Sequence, residues 1–251
     1  MNISLLPIDE HPIRLVEPHS TCRLCPLHEV ARSVGINLHH HHATPPSGRP
    51  AVLIVGQNPG YNEDLAGKPF IGKTGYVLHK SYIDGISLPS LADIYFANAA
   101  RCTSDHDPKP ATYRACIRHT LADIQRIAPL HPPPLYILTL GAPATTHTWS
   151  LASISTTLSE SFSKQGTPAK VEGHPVLLFS TFHPAAVLRS FNLIHAVSGH
   201  LQILLDHLTD NAPTPSVPTV VPARSPICQP IPHPSPTPTY PHHYPHSPSA
   251  S

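Results

Sequence analysis

Three short polar segments, each directly after an apolar run, carry the side chains best suited to act on a ligand. Their sequences are G-Q-N-P-G at residues 56–60, N-A-A-R-C at residues 98–102 and T-F-H-P at residues 181–184. An amide can donate to one ligand atom while accepting from the next, and an imidazole can donate to developing negative charge. The segments contain no Cys–His or Ser–His–Asp arrangement, so this composition disfavours covalent catalysis.

Four of the five cysteines have a spacing that suits a metal centre. Cys22 and Cys25 form a C-x-x-C pair, and 13 residues separate Cys102 from Cys116. Four thiolates can bind a tetrahedral zinc ion or an iron–sulfur cluster, and the spacing alone does not decide between them. Cys228 stands in a Pro-rich stretch with no partner in view, so we exclude it from the ligand set.

The chain also has 21 histidines, four of them consecutive at residues 39–42. Consecutive side chains do not share one face of a helix or strand, so these four imidazoles make a poor preorganised metal site. We interpret residues 39–42 as a solvated loop.

The elements that must position these groups follow from the apolar pattern. Strands are predicted for four buried runs, at residues 51–55, 94–98, 135–140 and 176–180. Helices are predicted for four segments with helical spacing, at residues 74–83, 111–127, 142–151 and 196–208. Alternating strands and helices predict an α/β fold with three α/β/α layers and a central four-stranded parallel sheet. Ligands bind such sheets at the carboxyl ends of the strands, where the polar segments stand.

Composition divides the chain into a domain at residues 1–210 and a tail at residues 211–251. The tail has 13 prolines, one basic residue and no acidic residue, so we expect it to be disordered. A net charge of +1 indicates no particular partner. The sequence shows neither an apolar run of about 18 residues nor a secretory signal at its start, so we expect a cytoplasmic protein with no membrane partner. We also expect the protein to be monomeric.

Together with their neighbours, the polar segments resemble the uracil-DNA glycosylase superfamily, and most of all its iron–sulfur-containing family 4. Residues 56–64 and 67–75 are similar to that family's motifs G-E-x-P-G-x-x-E-D and G-x-P-F-x-G-x-x-G. Residues 98–102 resemble a second block, in which an Asn closes a strand before a basic residue and a Cys. Residues 183–189 match the motif H-P-x-x-x-L-R at every fixed position.

The resemblance implies a monofunctional DNA glycosylase. Such an enzyme flips uracil, or a related modified pyrimidine, out of DNA and hydrolyses its N-glycosidic bond. By this resemblance Asn98 reads the base, Phe70 stacks on it and His183 stabilises the charge that develops on its O2 atom. Leu188 and Arg189 then belong to a loop that enters the gap left by the flipped nucleotide. The implied partner is DNA, either single-stranded or double-stranded.

Two positions depart from the family 4 pattern or bear on substrate choice. Gln57 stands where family 4 has Glu, which leaves Asn58 as the expected water-positioning residue beside Gln57 in the catalytic loop. Gly60 stands where family 1 has a Tyr that excludes substituents at C5 of the base. Two alternatives therefore stay open: a glycosylase for a bulky C5-modified pyrimidine such as a phage hypermodified base, and a non-catalytic iron–sulfur protein that binds DNA.

The resemblance also bears on the cysteines. It implies that Cys22, Cys25, Cys102 and Cys116 hold a [4Fe–4S] cluster, with zinc as the alternative.

Overall fold

The computed structural model describes residues 21–41 and 47–210, so His42 and the predicted tail lie outside the described residues. Its strands are β1 His39–His40, β2 Ala51–Gly56, β3 Asp93–Asn98, β4 Leu135–Leu140, β5 Thr167–Val171 and β6 His174–Thr181. Its α-helices are α1 Leu27–Val30, α2 Tyr61–Ala66, α3 Lys73–Val77, α4 Pro110–Ile127, α5 Ala142–Trp149, α6 Leu158–Ser161, α7 Pro184–Arg189 and α8 Leu193–Asp210. A π-helical segment, Leu78–Ile83, continues directly from α3.

The strands form one sheet with the order β1-β3-β2-β4-β6-β5. The four central strands are parallel, as predicted, and their carboxyl ends lie level: Gly56 pairs with Asn98, and Leu140 pairs with Thr181. The sheet is nevertheless six-stranded, because β1 and β5 add one antiparallel edge strand on each side. These two edges correct the predicted four-stranded sheet.

The first two histidines of the tract form one of these edges, which corrects the interpretation of this part as a solvated loop. His39 and His40 pair with β3, and their rings stack against Phe96 and Tyr95 with centroids 6.5 and 4.5 Å apart. Burial lowers the pKa of His39 to about 4, so this imidazole is neutral at physiological pH. The planar rings cover aromatic side chains of the neighbouring strand that would otherwise face water.

Helices cover both faces of the sheet, which confirms the three-layer architecture. One face packs against α4 and α5, including the fully buried Trp149. The other face packs against the π-helical segment and α8. The buried stripe of α8 repeats at helical spacing and comprises Val197, Leu201, Leu204 and Leu208. Within the described residues, no helix has the length and apolar character needed to cross a membrane.

Candidate active site

A cavity of about 500 Å³ opens at the carboxyl end of the parallel sheet. Five residues predicted for the site line it together: Asn58, Gly60, Phe70, Asn98 and His183. Other lining residues belong to loops and short helices around this edge: Val30, Pro59, Tyr61, Glu63, Asp64, Thr74, Thr103, Ser104 and Asp105. The sheet register brings these groups together, because β2, β3 and β6 end at the same level.

Asn98 and Phe70 form the buried floor of the cavity. Asn98 is the last residue of β3, is only 5% exposed, and its amide has no hydrogen-bond partner among the described residues. Gly56 lies beside Asn98 on the neighbouring strand β2, and its lack of a side chain leaves room for the side chains of Asn98 and Phe70. A Cβ atom at Gly56 would lie 2.5 Å from Asn98 Oδ1 and 2.6 Å from Phe70 Cζ. Gly56 is thus a site residue, which the sequence indicated only as part of a motif.

His183 also lines the cavity and is the N-cap of α7. Its Nδ1 atom accepts a hydrogen bond from the Ala185 N–H at 3.2 Å, so in the neutral ring the proton is assigned to Nε2. Burial, followed by the positive charge of Arg189, lowers the pKa of His183 to about 4. The imidazole is therefore a neutral donor at physiological pH.

The two amides after β2 have different surroundings. Asn58 lines the cavity, and its Nδ2 donates to the Pro59 carbonyl at 3.1 Å, which leaves Oδ1 as an acceptor for water. Gln57 does not line the cavity. Its Nε2 donates to Asp107 Oδ1 at 2.9 Å, in the loop between β3 and α4. Of these two amides, Asn58 lines the cavity, whereas the Gln57 side chain points to the loop that carries Asp107.

Glu63 partly fills the gap that Gly60 leaves. A Cβ atom at Gly60 would lie 2.8 Å from Glu63 Oε2, and Glu63 Oε1 accepts the Gly72 N–H at 3.1 Å. Asp64 has a different role, because its carboxylate accepts the backbone N–H groups of Arg32 and Ser33 at 3.0 and 2.9 Å. Asp64 therefore braces the segment that follows the Cys22–Cys25 pair.

The same part of the chain matches a known family. A family model described as the uracil DNA glycosylase superfamily matches residues 44–198, which include all three polar segments of the cavity. This chain belongs to the uracil DNA glycosylase superfamily.

Similar proteins within the superfamily are type-4 uracil-DNA glycosylases. The one from Saccharolobus solfataricus is 29% identical over 139 residues, which cover 55% of this chain and 62% of that protein, less than two thirds of its length. The one from Archaeoglobus fulgidus is 28% identical over 179 residues, covering 69% and 81%. The one from Thermotoga maritima is 28% identical over 178 residues, covering 67% and 79%.

In this superfamily member, the residues predicted to touch the DNA lie beside the cavity. Leu188 and Arg189 end α7, the helix that His183 caps, and both side chains are exposed. Leu188 is 55% exposed, and the neighbouring Phe191 is 66% exposed. An exposed apolar side chain at the end of a helix can enter a gap in a base stack.

The four cysteines lie in three parts of the domain: Cys22 and Cys25 precede α1, Cys102 follows β3, and Cys116 lies in α4. Cys102 and Cys116 are buried, whereas Cys22 and Cys25 are partly exposed. Cys102 Sγ accepts the Gly35 N–H at 3.3 Å, and Cys22 Sγ lies 3.6 Å from His119 Nε2.

Burial also affects the charge of these thiols. It raises the pKa of Cys116 to about 11 and shifts that of Cys102 in the same direction, and the neighbouring thiols add to both shifts. In the described ranges, no three His, Cys, Asp or Glu side chains form a group that could hold a metal ion.

Proposed function

We propose that this protein is a monofunctional DNA glycosylase that removes uracil from DNA, the first step of base excision repair. The observation that carries the proposal is that a buried amide, an aromatic ring and a neutral imidazole donor line one cavity, at Asn98, Phe70 and His183. The similar proteins named type-4 uracil-DNA glycosylases support it.

The cavity residues divide the recognition of the base between them. A nucleotide flipped out of the stack would place its base against the Phe70 ring. The Asn98 amide would then donate to one atom of the base's Watson–Crick edge and accept from the adjacent one. Leu188 would occupy the gap left in the duplex or strand, and Arg189 would lie near the phosphates.

Bond cleavage would rely on His183 and Asn58. As the bond between N1 and C1′ breaks, its electron pair leaves with the base, and the His183 Nε2–H would donate to the charge that develops on O2. Asn58 Oδ1 would orient a water molecule whose oxygen bonds to C1′ and whose proton passes to solvent. The amide cannot act as a base, but water that attacks a cation-like sugar has little need of one.

The two alternatives have weaker support. The Glu63 carboxylate beside Gly60 narrows the space in which a bulky C5 substituent would lie. A non-catalytic DNA-binding protein would not need a neutral donor, a free amide and a stacking ring in one cavity. The relatives' names also favour uracil.

An excision assay tests the proposed function. We expect the purified protein to release uracil from a labelled oligonucleotide, and to leave hydroxymethyluracil, mismatched thymine and glucosylated bases largely intact. Selective release of a bulky C5-modified base would favour the first alternative. DNA binding without release of any base would favour the second.

We also propose that Cys22, Cys25, Cys102 and Cys116 bind a [4Fe–4S] cluster. Four thiols with N–H and imidazole groups near the sulfurs suit this group, because hydrogen bonds to sulfur stabilise thiolate ligands. Burial raises the pKa of the Cys116 thiol to about 11, so bound metal would favour its thiolate form at neutral pH. When bound, the cluster would cross-link the segments that carry these cysteines, and hydrolysis of a glycosidic bond requires no electron from it.

The cluster proposal has its own test. Anaerobically purified protein should be brown and absorb broadly at about 400 nm. It should contain iron and sulfide in equal amounts. Cys116→Ser should remove the colour. A colourless protein with one equivalent of zinc would contradict the cluster and leave the proposed glycosylase activity untouched.

A further inference from the structure

The segment that presents His183 lies beyond the end of the parallel sheet. The last pair between β4 and β6 is Leu140–Thr181, and the Gly141 N–H donates to the Thr181 carbonyl at 2.9 Å. Phe182 and His183 follow this pair, so β4 supplies no hydrogen-bond partner for the Phe182 carbonyl. The orientation of the peptide between Phe182 and His183 nevertheless sets the direction of the imidazole.

The contacts around His183 itself do not fix that peptide. Its Nδ1 atom and its carbonyl accept the N–H groups of Ala185 and Ala186, at 3.2 and 2.8 Å, and both bonds join His183 to the start of α7. On the sheet side, Gly141 has a φ of 82° and allows a close approach, because an added Cβ atom would lie 3.2 Å from His183 Cβ. A restraint on the preceding peptide must come from another element.

Tyr82 supplies this restraint. It lies in the π-helical segment, and its hydroxyl donates to the Phe182 carbonyl at 3.0 Å, across 100 residues of sequence. The residue is 0% exposed and belongs to the same hydrophobic cluster as Phe179 of β6 and Val187 of α7. Burial raises the pKa of Tyr82, so its hydroxyl stays a donor throughout the physiological range. Tyr82 therefore connects the π-helical segment to the residue that precedes His183.

A second buried tyrosine provides a comparison. Tyr136 is also 0% exposed, and its hydroxyl donates to the His207 carbonyl at 3.2 Å. It is the second residue of β4, at the amino end of the sheet, whereas the cavity lies at the carboxyl end. The two hydroxyls share their burial and their kind of acceptor, but only the hydroxyl of Tyr82 bonds to the residue next to His183.

We propose that Tyr82 is a positioning residue for His183. Its hydroxyl fixes the peptide between Phe182 and His183, so that the His183 Nε2–H points to the oxygen on which charge develops. A displacement of about 1 Å in a catalytic group can lower a rate substantially. The role of His183 as the donor rests on the proposed function, whereas the restraint follows from the hydrogen bond to the Phe182 carbonyl.

A double-mutant cycle tests the catalytic part. Tyr82→Phe removes one oxygen atom and keeps the ring in the core, and we expect the single-turnover rate on uracil-containing DNA to fall about 3- to 10-fold. DNA affinity should stay unchanged, because this buried side chain cannot contact DNA. In a His183→Ala background, Tyr82→Phe should have almost no further effect on the rate, since the donor to be positioned is gone.

Tyr136→Phe is the matched control. It also removes one buried hydroxyl, so its melting temperature should fall about as much as that of Tyr82→Phe, but its rate should equal that of the wild type. Equal rate losses in the two variants would overturn the proposal, because lost stability would then explain both. An unchanged rate in Tyr82→Phe, or an equal loss with and without His183, would also overturn it.

A conservative replacement covers the case in which Tyr82→Phe is too unstable to purify. Incorporation of para-aminophenylalanine at position 82 keeps the ring and restores an N–H donor near the Phe182 carbonyl. We expect a rate within about 3-fold of the wild type. A larger loss in this protein would contradict a role that depends on donation to the carbonyl.

Crystal structures of the two phenylalanine variants give a readout that does not depend on activity. In Tyr82→Phe we expect the peptide between Phe182 and His183 to rotate and the His183 ring to shift in the cavity, and in Tyr136→Phe we expect neither change. An unchanged His183 position in Tyr82→Phe would overturn the positioning role. An inactive wild-type enzyme would instead overturn the proposed function, and these structures would still test the restraint.

Discussion

The hydrogen bond and the lowered pKa of His183 together predict how the reaction rate depends on pH. Burial, with the charge of Arg189, lowers its pKa from 6.5 to about 4, and protonation of Nδ1 would break the bond from the Ala185 N–H. The ring therefore stays neutral until the pH falls to about 4. We expect a single-turnover rate that is flat between about pH 5 and 8 and falls as the pH drops through the folded pKa.

The measurement is a pH profile of the wild type beside His183→Gln. An acid limb centred between about pH 6 and 7 that disappears in the variant would contradict a neutral donor with a lowered pKa.

Gln57 and Asp107 form a pair that explains the departure at Gln57. The amide donates to the carboxylate at 2.9 Å, and a Glu at this position would place two carboxylates side by side. We expect Gln57→Glu to lower the free energy of unfolding by about 1 kcal/mol, because a hydrogen bond to a charged group is replaced by repulsion at an accessible site. Combining it with Asp107→Asn should restore stability, since an amide again faces a carboxylate.

Urea denaturation of the two single variants and the double variant measures this coupling. Additive effects in that cycle would show that the two side chains do not interact.

Side chains at strand ends were predictable, whereas side chains in loops were not. Asn98 and His183 directly follow strands whose register is fixed by burial on both faces, so the sequence alone located them at one edge. The direction of Gln57 depends on a contact with a residue 50 positions away. The position of the Glu63 carboxylate beside Gly60 likewise depends on the direction of a side chain, which turns back toward the N-terminus of α2.

At the scale of elements, a buried ion pair fastens α4 to the end of β3. Arg101 and Asp123 are 1% and 0% exposed at their side chains, and the guanidinium also donates to Thr120 at 3.4 Å. Asp123→Asn would leave the Arg101 charge buried without its counterion. We expect the free energy of unfolding to fall by about 3 kcal/mol, measured by urea denaturation.

Lys80→Ala is a suitable control, because it removes an exposed ion pair with Asp84 and should cost less than about 1 kcal/mol. Equal losses of unfolding free energy in the two variants would show that the buried ion pair stabilises the fold no more than the exposed one.

The central strands were predictable because they are long, apolar and buried, but the edges were not. β1 contains only two residues, both histidines, which give no alternating pattern. β5 has the sequence T-P-A-K-V and alternates between partly buried and exposed residues except at its end. One predicted helix at residues 74–83 is divided into α3 and a π-helical segment, a change in hydrogen bonding that hydrophobic spacing does not encode.

At the scale of the whole molecule, the composition of residues 211–251 gives a prediction about truncation. These residues have few large apolar side chains, so their removal should cost little buried surface. A protein that ends at residue 211 should keep its melting temperature within about 2 °C and its single-turnover rate on uracil-containing DNA. A large fall in melting temperature, measured by circular dichroism, would show that the removed segment packs on the domain.

At the same scale, the proposed function depends on one chemical claim, that the cavity stabilises a departing pyrimidine anion through His183. The direct test is single-turnover excision of uracil from a labelled oligonucleotide by the wild type and His183→Ala, with DNA affinity measured in parallel. We predict a rate lower by about 10²–10³ in the variant and nearly unchanged affinity, since the hydrogen bond strengthens mainly in the transition state. Wild-type activity in His183→Ala would contradict the account, because the reaction would then have to occur elsewhere.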